Sequence, residues 1–267
     1  MKLNTILYGD CLNLLKDIED NSVDLIITSP PYAERRKKTY GGIPESQYVT
    51  WFSTIATELK RVLKPTGSFF LNIKPHTNKG ERSLYVFDLV CSLKRQTGFY
   101  FVEEYCWTKN AFPTGTHGRF KNGFEPVYHF TKKHPREIIF NPLACGTEIS
   151  EETKKRAFRK NCPTPVNGSG MVVNRDNLKT LEIARPSNVI NANNVVNQFA
   201  DKIDHSAVFP EKLIEFFIKS FSNENAVVLD PFGGSGTVGV VCKAEKRNFI
   251  LMDNVQKNVE LMQKRLK

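Results

Sequence analysis

No apolar run in this 267-residue chain approaches the roughly 20 residues that a helix needs to cross a bilayer, and no membrane partner is expected. The opening Met1-Lys2-Leu3-Asn4-Thr5 lacks the pattern of a signal peptide, so the expected location is cytoplasmic. The six cysteines are scattered with no CxxC pair, and the five histidines show no HExxH spacing. Both absences argue against a zinc site, and no metal is expected. No cysteine follows a proline, and no Lys-Ser or Lys-Thr pair follows the Gly-rich stretch near the C-terminus. The second absence excludes a Walker-type phosphate loop. Repeats and low-complexity tracts are missing as well, leaving one large core, or a core with a smaller appended module.

What the chain has in excess is positive charge, with 38 Lys and Arg against 28 Asp and Glu and a net charge of +10. A basic surface suits a polyanion, because neutralising phosphates drives sequence-independent nucleic-acid binding. Two clusters stand out: Arg35-Arg36-Lys37-Lys38, and Lys154-Lys155-Arg156 with Arg159 and Lys160. Each also reads as a solvated loop or helix face.

Buried strands are expected over 4–8, 23–28, 68–73, 99–107, 125–131, 226–230 and 247–253. Helices are expected from Cys11 to Ile18, through Tyr48, Trp51, Phe52, Ile55, Leu59 and Val62, over 84–95, over 210–221, from Gly236, and to Leu266. Lys64-Pro65-Thr66-Gly67 is expected to stop the second helix. This alternation predicts an α/β fold with a doubly wound, mostly parallel sheet. Between about Lys132 and Asn197, Pro, Asn and Gly become frequent and periodicity fades, as in a loop-bearing insertion.

Two strings carry the chemistry. In Asp230-Pro231-Phe232-Gly233-Gly234-Ser235-Gly236-Thr237, which follows an apolar strand, the glycines remove the Cβ atoms that would keep a ligand from the backbone. Gly234, Gly236 and Gly239 also satisfy GxGxxG, and Asp253 ends the next strand, a pattern that suits a nicotinamide dinucleotide as well. The second string, Ser29-Pro30-Pro31-Tyr32, also follows a strand. Its prolines donate no backbone hydrogen bond, Ser29 offers a hydroxyl, and Tyr32 offers an aromatic face for a base withdrawn from its stack. Alone, it serves equally well as an exit turn with a core tyrosine.

Together the strings resemble the S-adenosyl-L-methionine-dependent amino-group DNA methyltransferases of the circularly permuted (β) class. There a (D/N/S)PP(Y/F/W) motif precedes the cofactor motif in sequence, as it does here. The resemblance extends to Gly9-Asp10, to His205-Ser206-Ala207-Val208-Phe209-Pro210, which matches an HxAxFP motif, and to Phe249–Asp253, where Asp replaces the commoner Glu. It implies a Rossmann-like, permuted methyltransferase fold. Residues 1–131 would be the catalytic part of the core, 132–197 a variable target-recognition region, and 198–267 the cofactor-binding part.

Carried onto this chain, the family's roles make Ser29, Pro30, Pro31 and Tyr32 catalytic. Asp10, His205, Phe209, Pro210, Asp230, Phe232, Gly233, Gly234, Ser235, Gly236, Thr237 and Asp253 would hold S-adenosyl-L-methionine. The two basic clusters would contact double-stranded DNA. Asp10 also suits a helix cap, and His205 a packing position. The implied reaction is direct methyl transfer to an exocyclic amine; a cytosine-C5 mechanism would need the missing Pro-Cys. Ser29 is associated with N4-cytosine enzymes, whereas Asp at that position is common among adenine-N6 enzymes. A cognate restriction endonuclease and a monomeric or homodimeric state are further expectations. A nicotinamide-dependent dehydrogenase leaves Ser29–Tyr32 unexplained, and a catalytically silent DNA-binding protein is the remaining alternative.

Overall fold

The computed structural model describes residues 2–34, 42–78, 80–109, 118–152, 155, 182–193 and 208–267. In chain order the strands are β1 (Thr5–Tyr8), β2 (Val23–Thr28), β3 (Leu63–Asn72), β4 (Thr77–Asn78), β5 (Glu81–Arg82) and β6 (Tyr100–Thr108). They continue as β7 (Phe124–Thr131), β8 (Thr147–Glu148), β9 (Ile183–Ala184), β10 (Val189–Asn191), β11 (Val227–Asp230) and β12 (Asn248–Asp253). Eight of them form one sheet in the order β1-β12-β11-β2-β3-β7-β6-β10. β7 pairs antiparallel with both neighbours, β3 and β6; the remaining ladders are parallel.

Helices cover both faces: α1 (Cys11–Leu15), α2 (Glu45–Val62), α3 (Tyr85–Arg95), α4 (Glu211–Phe221), α5 (Thr237–Ala244) and α6 (Gln256–Arg265). The period-2 alternation of each strand feeds two separate cores. Ile26, Phe69 and Leu71 face Tyr48, Phe52, Ile55 and Leu59 of α2 and Leu89 and Leu93 of α3. Leu25, Ile27 and Phe70 face Leu213, Ile214 and Phe217 of α4 and Val238 and Val241 of α5. Val23–Thr28 is buried throughout, which is why it reads as an apolar run broken only by Asp24 and Thr28. Each fully buried Phe or Leu contributes about 1.5–3 kcal/mol. The doubly wound fold is as expected from the sequence.

Besides the first helix ending at Leu15 rather than Ile18, the structure differs from expectation at two places. The strand expected from Ser68 begins at Leu63, where α2 ends and the backbone turns extended. Val23 pairs with Leu63 and Leu25 with Ser68, so residues 64–67, before which the helix stops as expected, bulge out of register within the strand. Lys64 Nζ, 2.7 Å from buried Asp24 Oδ1, holds that bulge to β2. The second difference lies in the inserted region. Chain contacts divide the protein into Met1–Phe140 with Asn188–Lys267, and Asn141–Ser187. Residues 132–140 and 188–191, inside the stretch 132–197 expected as the insertion, thus group with the larger unit, and Val189–Asn191 joins its sheet. β10 covers the amides and carbonyls of β6, a need of the sheet edge that the Asn-rich sequence of this stretch conceals. Within Asn141–Ser187, β8 pairs antiparallel with β9.

The winding places the site. From β2 the chain moves outward to β3; from β11 it moves the opposite way to β12. The carboxyl ends of neighbouring strands whose connections diverge leave a crevice between them. Ser29 and Pro231 are the first residues past those two ends.

Candidate active site

A cavity of about 800 Å³ opens at this crevice. Ser29, Pro30, Pro31 and Tyr32 line one part of it; Asp230, Phe232, Gly233, Gly234, Ser235 and Thr237 line another, with Asp253 and Phe209. The two strings are joined at their roots, where Thr28 Oγ1 donates to Asp230 Oδ1 at 2.7 Å.

The Gly-rich turn is built to let the backbone pass close to neighbours. Gly234 and Gly236 have φ of 53° and 78°, in the left-handed region. Gly233 N–H donates to the Met252 carbonyl at 2.7 Å, and Gly236 N–H donates back to Gly233 O at 2.8 Å. From α6, Arg265 Nη1 donates to Ser235 O at 2.6 Å and reaches Thr237 Oγ1 at 3.3 Å. Asp253 closes the other side. Its carboxylate accepts from Gly234 N–H at 2.9 Å, Val255 N–H at 2.8 Å and Asn258 Nδ2 at 3.1 Å. Asp230 Oδ1 also accepts from Phe232 N–H at 3.1 Å. Burial pushes the Asp230 carboxyl up to about 7, against the opposing pull of the Thr28 and Phe232 bonds and with a further push from Asp253.

Tyr32, half-buried, lines the same cavity. Its hydroxyl proton lies between Asn72 Oδ1 at 3.2 Å and Glu125 Oε2 at 3.3 Å. Asn72 is oriented in turn by donating from Nδ2 to Pro126 O at 2.9 Å. Tyr48 Oη donates to Pro31 O at 2.7 Å, which pins the Pro-Pro turn to α2. Buried Glu125 is gripped by Lys74 and Lys109. Burial opposes its charge, but the two ammonium groups prevail and hold its carboxyl below the usual range. Burial and the Glu125 charge push the Tyr32 phenol well up, so it stays a hydrogen-bond donor across working pH.

Residues 23–264 match the family model described as DNA methylase. The chain belongs to that family. The methylase is 31% identical over 264 residues to the Type II methyltransferase M.PvuII of Proteus hauseri, across 91% of this chain and 77% of the relative. The solved structure of PvuII DNA methyltransferase (cytosine-N4-specific) matches with a TM-score of 0.73 at 26% identity, covering 100% of this chain and 87% of the other. The DNA adenine methyltransferase YhdJ of Escherichia coli (strain K12) is 29% identical over 252 residues, 92% of this chain and 76% of its own. The M1.HpyAVI–SAM complex shares the fold at 21% identity, with a TM-score of 0.59 over 98% of this chain and 99% of the other.

The other residues singled out in the methylase sequence lie in varied settings. Asp10 is exposed and caps α1, accepting from Asn13 N–H at 3.2 Å. Gly236 shapes the turn without lining the cavity, and buried Pro210 sits immediately before α4. Phe209 lines the cavity, 6.3 Å between ring centroids from Trp107. His205, Arg35, Arg36, Lys37, Lys38, Lys154, Arg156, Arg159 and Lys160 lie outside the described residues. Lys155 is exposed within Asn141–Ser187. The sequence reading missed Asn72, Glu125, Lys74, Lys109 and Arg265. Asn72 and Glu125 did carry a signal, as polar residues within the strand-like runs 68–73 and 125–131. The lysines and Arg265 carried none.

Proposed function

We propose that this DNA amino-methyltransferase transfers a methyl group from S-adenosyl-L-methionine to the N4 amine of a cytosine extruded from duplex DNA, as the modification component of a restriction–modification system. Ser29 at the head of the Pro-Pro-Tyr turn carries the choice of cytosine, together with the likeness to a methyltransferase titled cytosine-N4-specific. The exocyclic amine is a poor nucleophile, because its lone pair is delocalised into the ring. In this reading Tyr32 stacks on the base, while the Ser29 hydroxyl and the Pro30 carbonyl accept hydrogen bonds from the amine and draw its lone pair out of conjugation; the proton that the nitrogen loses on methylation passes to solvent. Holding reactants in place supplies on the order of 7–11 kcal/mol in favourable cases.

When bound, S-adenosyl-L-methionine supplies the methyl group. The far end of the cavity suits it: backbone approach at Gly233 and Gly234, carboxylates at Asp230 and Asp253, and the Phe232 ring. A sulfonium cation favours the ionised form of Asp230. Since burial lifts that carboxyl to about 7 in the free protein, the proton competes with the donor below pH 7 and ceases to compete above it. Donor affinity is therefore expected to rise roughly tenfold from pH 6 to pH 8. Calorimetric titration at both pH values, in wild type and in Asp230→Asn, checks this; an identical slope in the variant assigns the effect elsewhere.

Adenine-N6 is the second reading, favoured by the 29% identity to YhdJ. Labelled methyl transfer to plasmid DNA, followed by digestion to nucleosides, separates them. N4-methyl-2′-deoxycytidine is expected, and N6-methyl-2′-deoxyadenosine as the product overturns the choice of base.

A further inference from the structure

Residues 118–123 lead into β7 and form one lip of the cavity, to which Arg119 and Asn122 contribute. The lip is tied on both sides to the β4–β5 hairpin. Arg119 Nη1 donates to Thr77 Oγ1 of β4, and Arg82 Nη2 of β5 lies 3.5 Å from Asn122 Oδ1. Between those two anchors Phe120 points outward and is 101% exposed. Single apolar residues on a surface are common, but this ring differs in its setting. Its neighbours in the chain are both cationic, Arg119 and Lys121. The cavity beside it has Tyr32 on its wall, and Lys74, Arg82 and Lys109 line it as well.

We propose that Phe120 is a wedge that enters the base stack of duplex DNA at the place the target nucleotide vacates. This rests on the reading of the protein as a methyltransferase acting on an extruded base. An extruded base leaves a gap one ring thick, and a flat apolar side chain can fill it by stacking on the bases above and below. Arg119 and Lys121 flank the ring as phosphate contacts on either side of the gap. Because every base presents a π face, the wedge acts at the site of extrusion without reading sequence. The tethers to Thr77 and Arg82 present the ring from a positioned lip, beside the cavity that receives the base.

The test uses the full-length protein and Phe120→Ala, whose fully exposed side chain makes no core contact to lose. The methylated site is first mapped on plasmid DNA modified in vitro. Single-turnover methylation is then measured on a short duplex carrying that site, and on the same duplex with an abasic position opposite the target base. On the matched duplex the variant is expected to be slower by roughly tenfold to a hundredfold, the range set by base–aromatic stacking. On the abasic duplex, where the target leaves the stack more readily, the loss shrinks to within about threefold. Phe120→Trp keeps most of the wild-type rate on both. Equal losses on the two duplexes, or no loss on either, overturn the wedge. A change confined to sedimentation reassigns Phe120 to a protein contact and overturns it too. If the wild type methylates no DNA at all, the underlying reading fails; an active wild type with an indifferent Phe120→Ala removes the wedge alone.

Discussion

Replacing Tyr32 by alanine is expected to slow methyl transfer to DNA by on the order of a hundredfold or more, while donor affinity stays within a few-fold of wild type. The substitution removes an aromatic ring that lines the cavity and the hydroxyl that spans Asn72 and Glu125. It does not touch the Gly-rich turn, whose supports are Met252, Arg265 and Asp253. Glu125 keeps its two lysine partners after the change, so no buried carboxylate is stranded and the fold should survive. Tyr32→Phe separates the two losses. It keeps the ring and forfeits a single shared hydrogen bond, worth about 0.5–1.5 kcal/mol, so a drop of no more than about tenfold is expected. Rapid-quench turnover on DNA, with donor binding measured in parallel, provides the check. A Tyr32→Ala enzyme with near-normal turnover would show that the base is held by something else.

Gly236→Val is expected to damage the Gly-rich turn severely. Gly236 has φ of 78°, and a Cβ built there would sit 2.9 Å from Met262 Cγ and 3.4 Å from Met262 Cα. An L side chain in the left-handed region costs roughly 1–2 kcal/mol, and forcing extra carbon into a packed site adds about 1–3 kcal/mol. The Met262 side chain can shift, but its Cα belongs to α6 and cannot move alone. A loss of about 3 kcal/mol in unfolding free energy is therefore expected, with donor affinity falling by more than roughly tenfold as the turn is displaced. Urea denaturation and donor titration read the two effects independently. A variant that melts and binds donor like wild type would mean that the turn tolerates a side chain there and does not shape the donor end.

Much of the fold was legible because its signals are local. The spacing of Tyr48, Phe52, Ile55, Leu59 and Val62 defines the buried face of α2, and the run 23–28, apolar but for Asp24 and Thr28, announces a strand covered on both faces. The boundaries that went astray depend on distant partners. β3 starts early because Leu63 meets Val23 across the ladder. β10 exists as a strand because β6 offers it an edge. Nothing in Val189–Asn191 itself announces pairing.

The site divides in the same way. Two consecutive prolines after a strand, and several glycines before a helix, are backbone instructions carried by adjacent residues. The sequence by itself therefore determined that the chain has two ligand-shaped turns, their order, and an adjustable hydroxyl and aromatic ring on the first. Only the tertiary structure decided that these turns share one cavity. Thr28 and Asp230 meet across 202 residues of chain, and that meeting depends on which strand lies beside which. The Glu125 ion cluster under Tyr32, the Arg265 strut behind the glycines and the outward ring of Phe120 belong to the same class. Each is a relation between residues far apart in sequence or between a residue and solvent, settled only when the two cores pack.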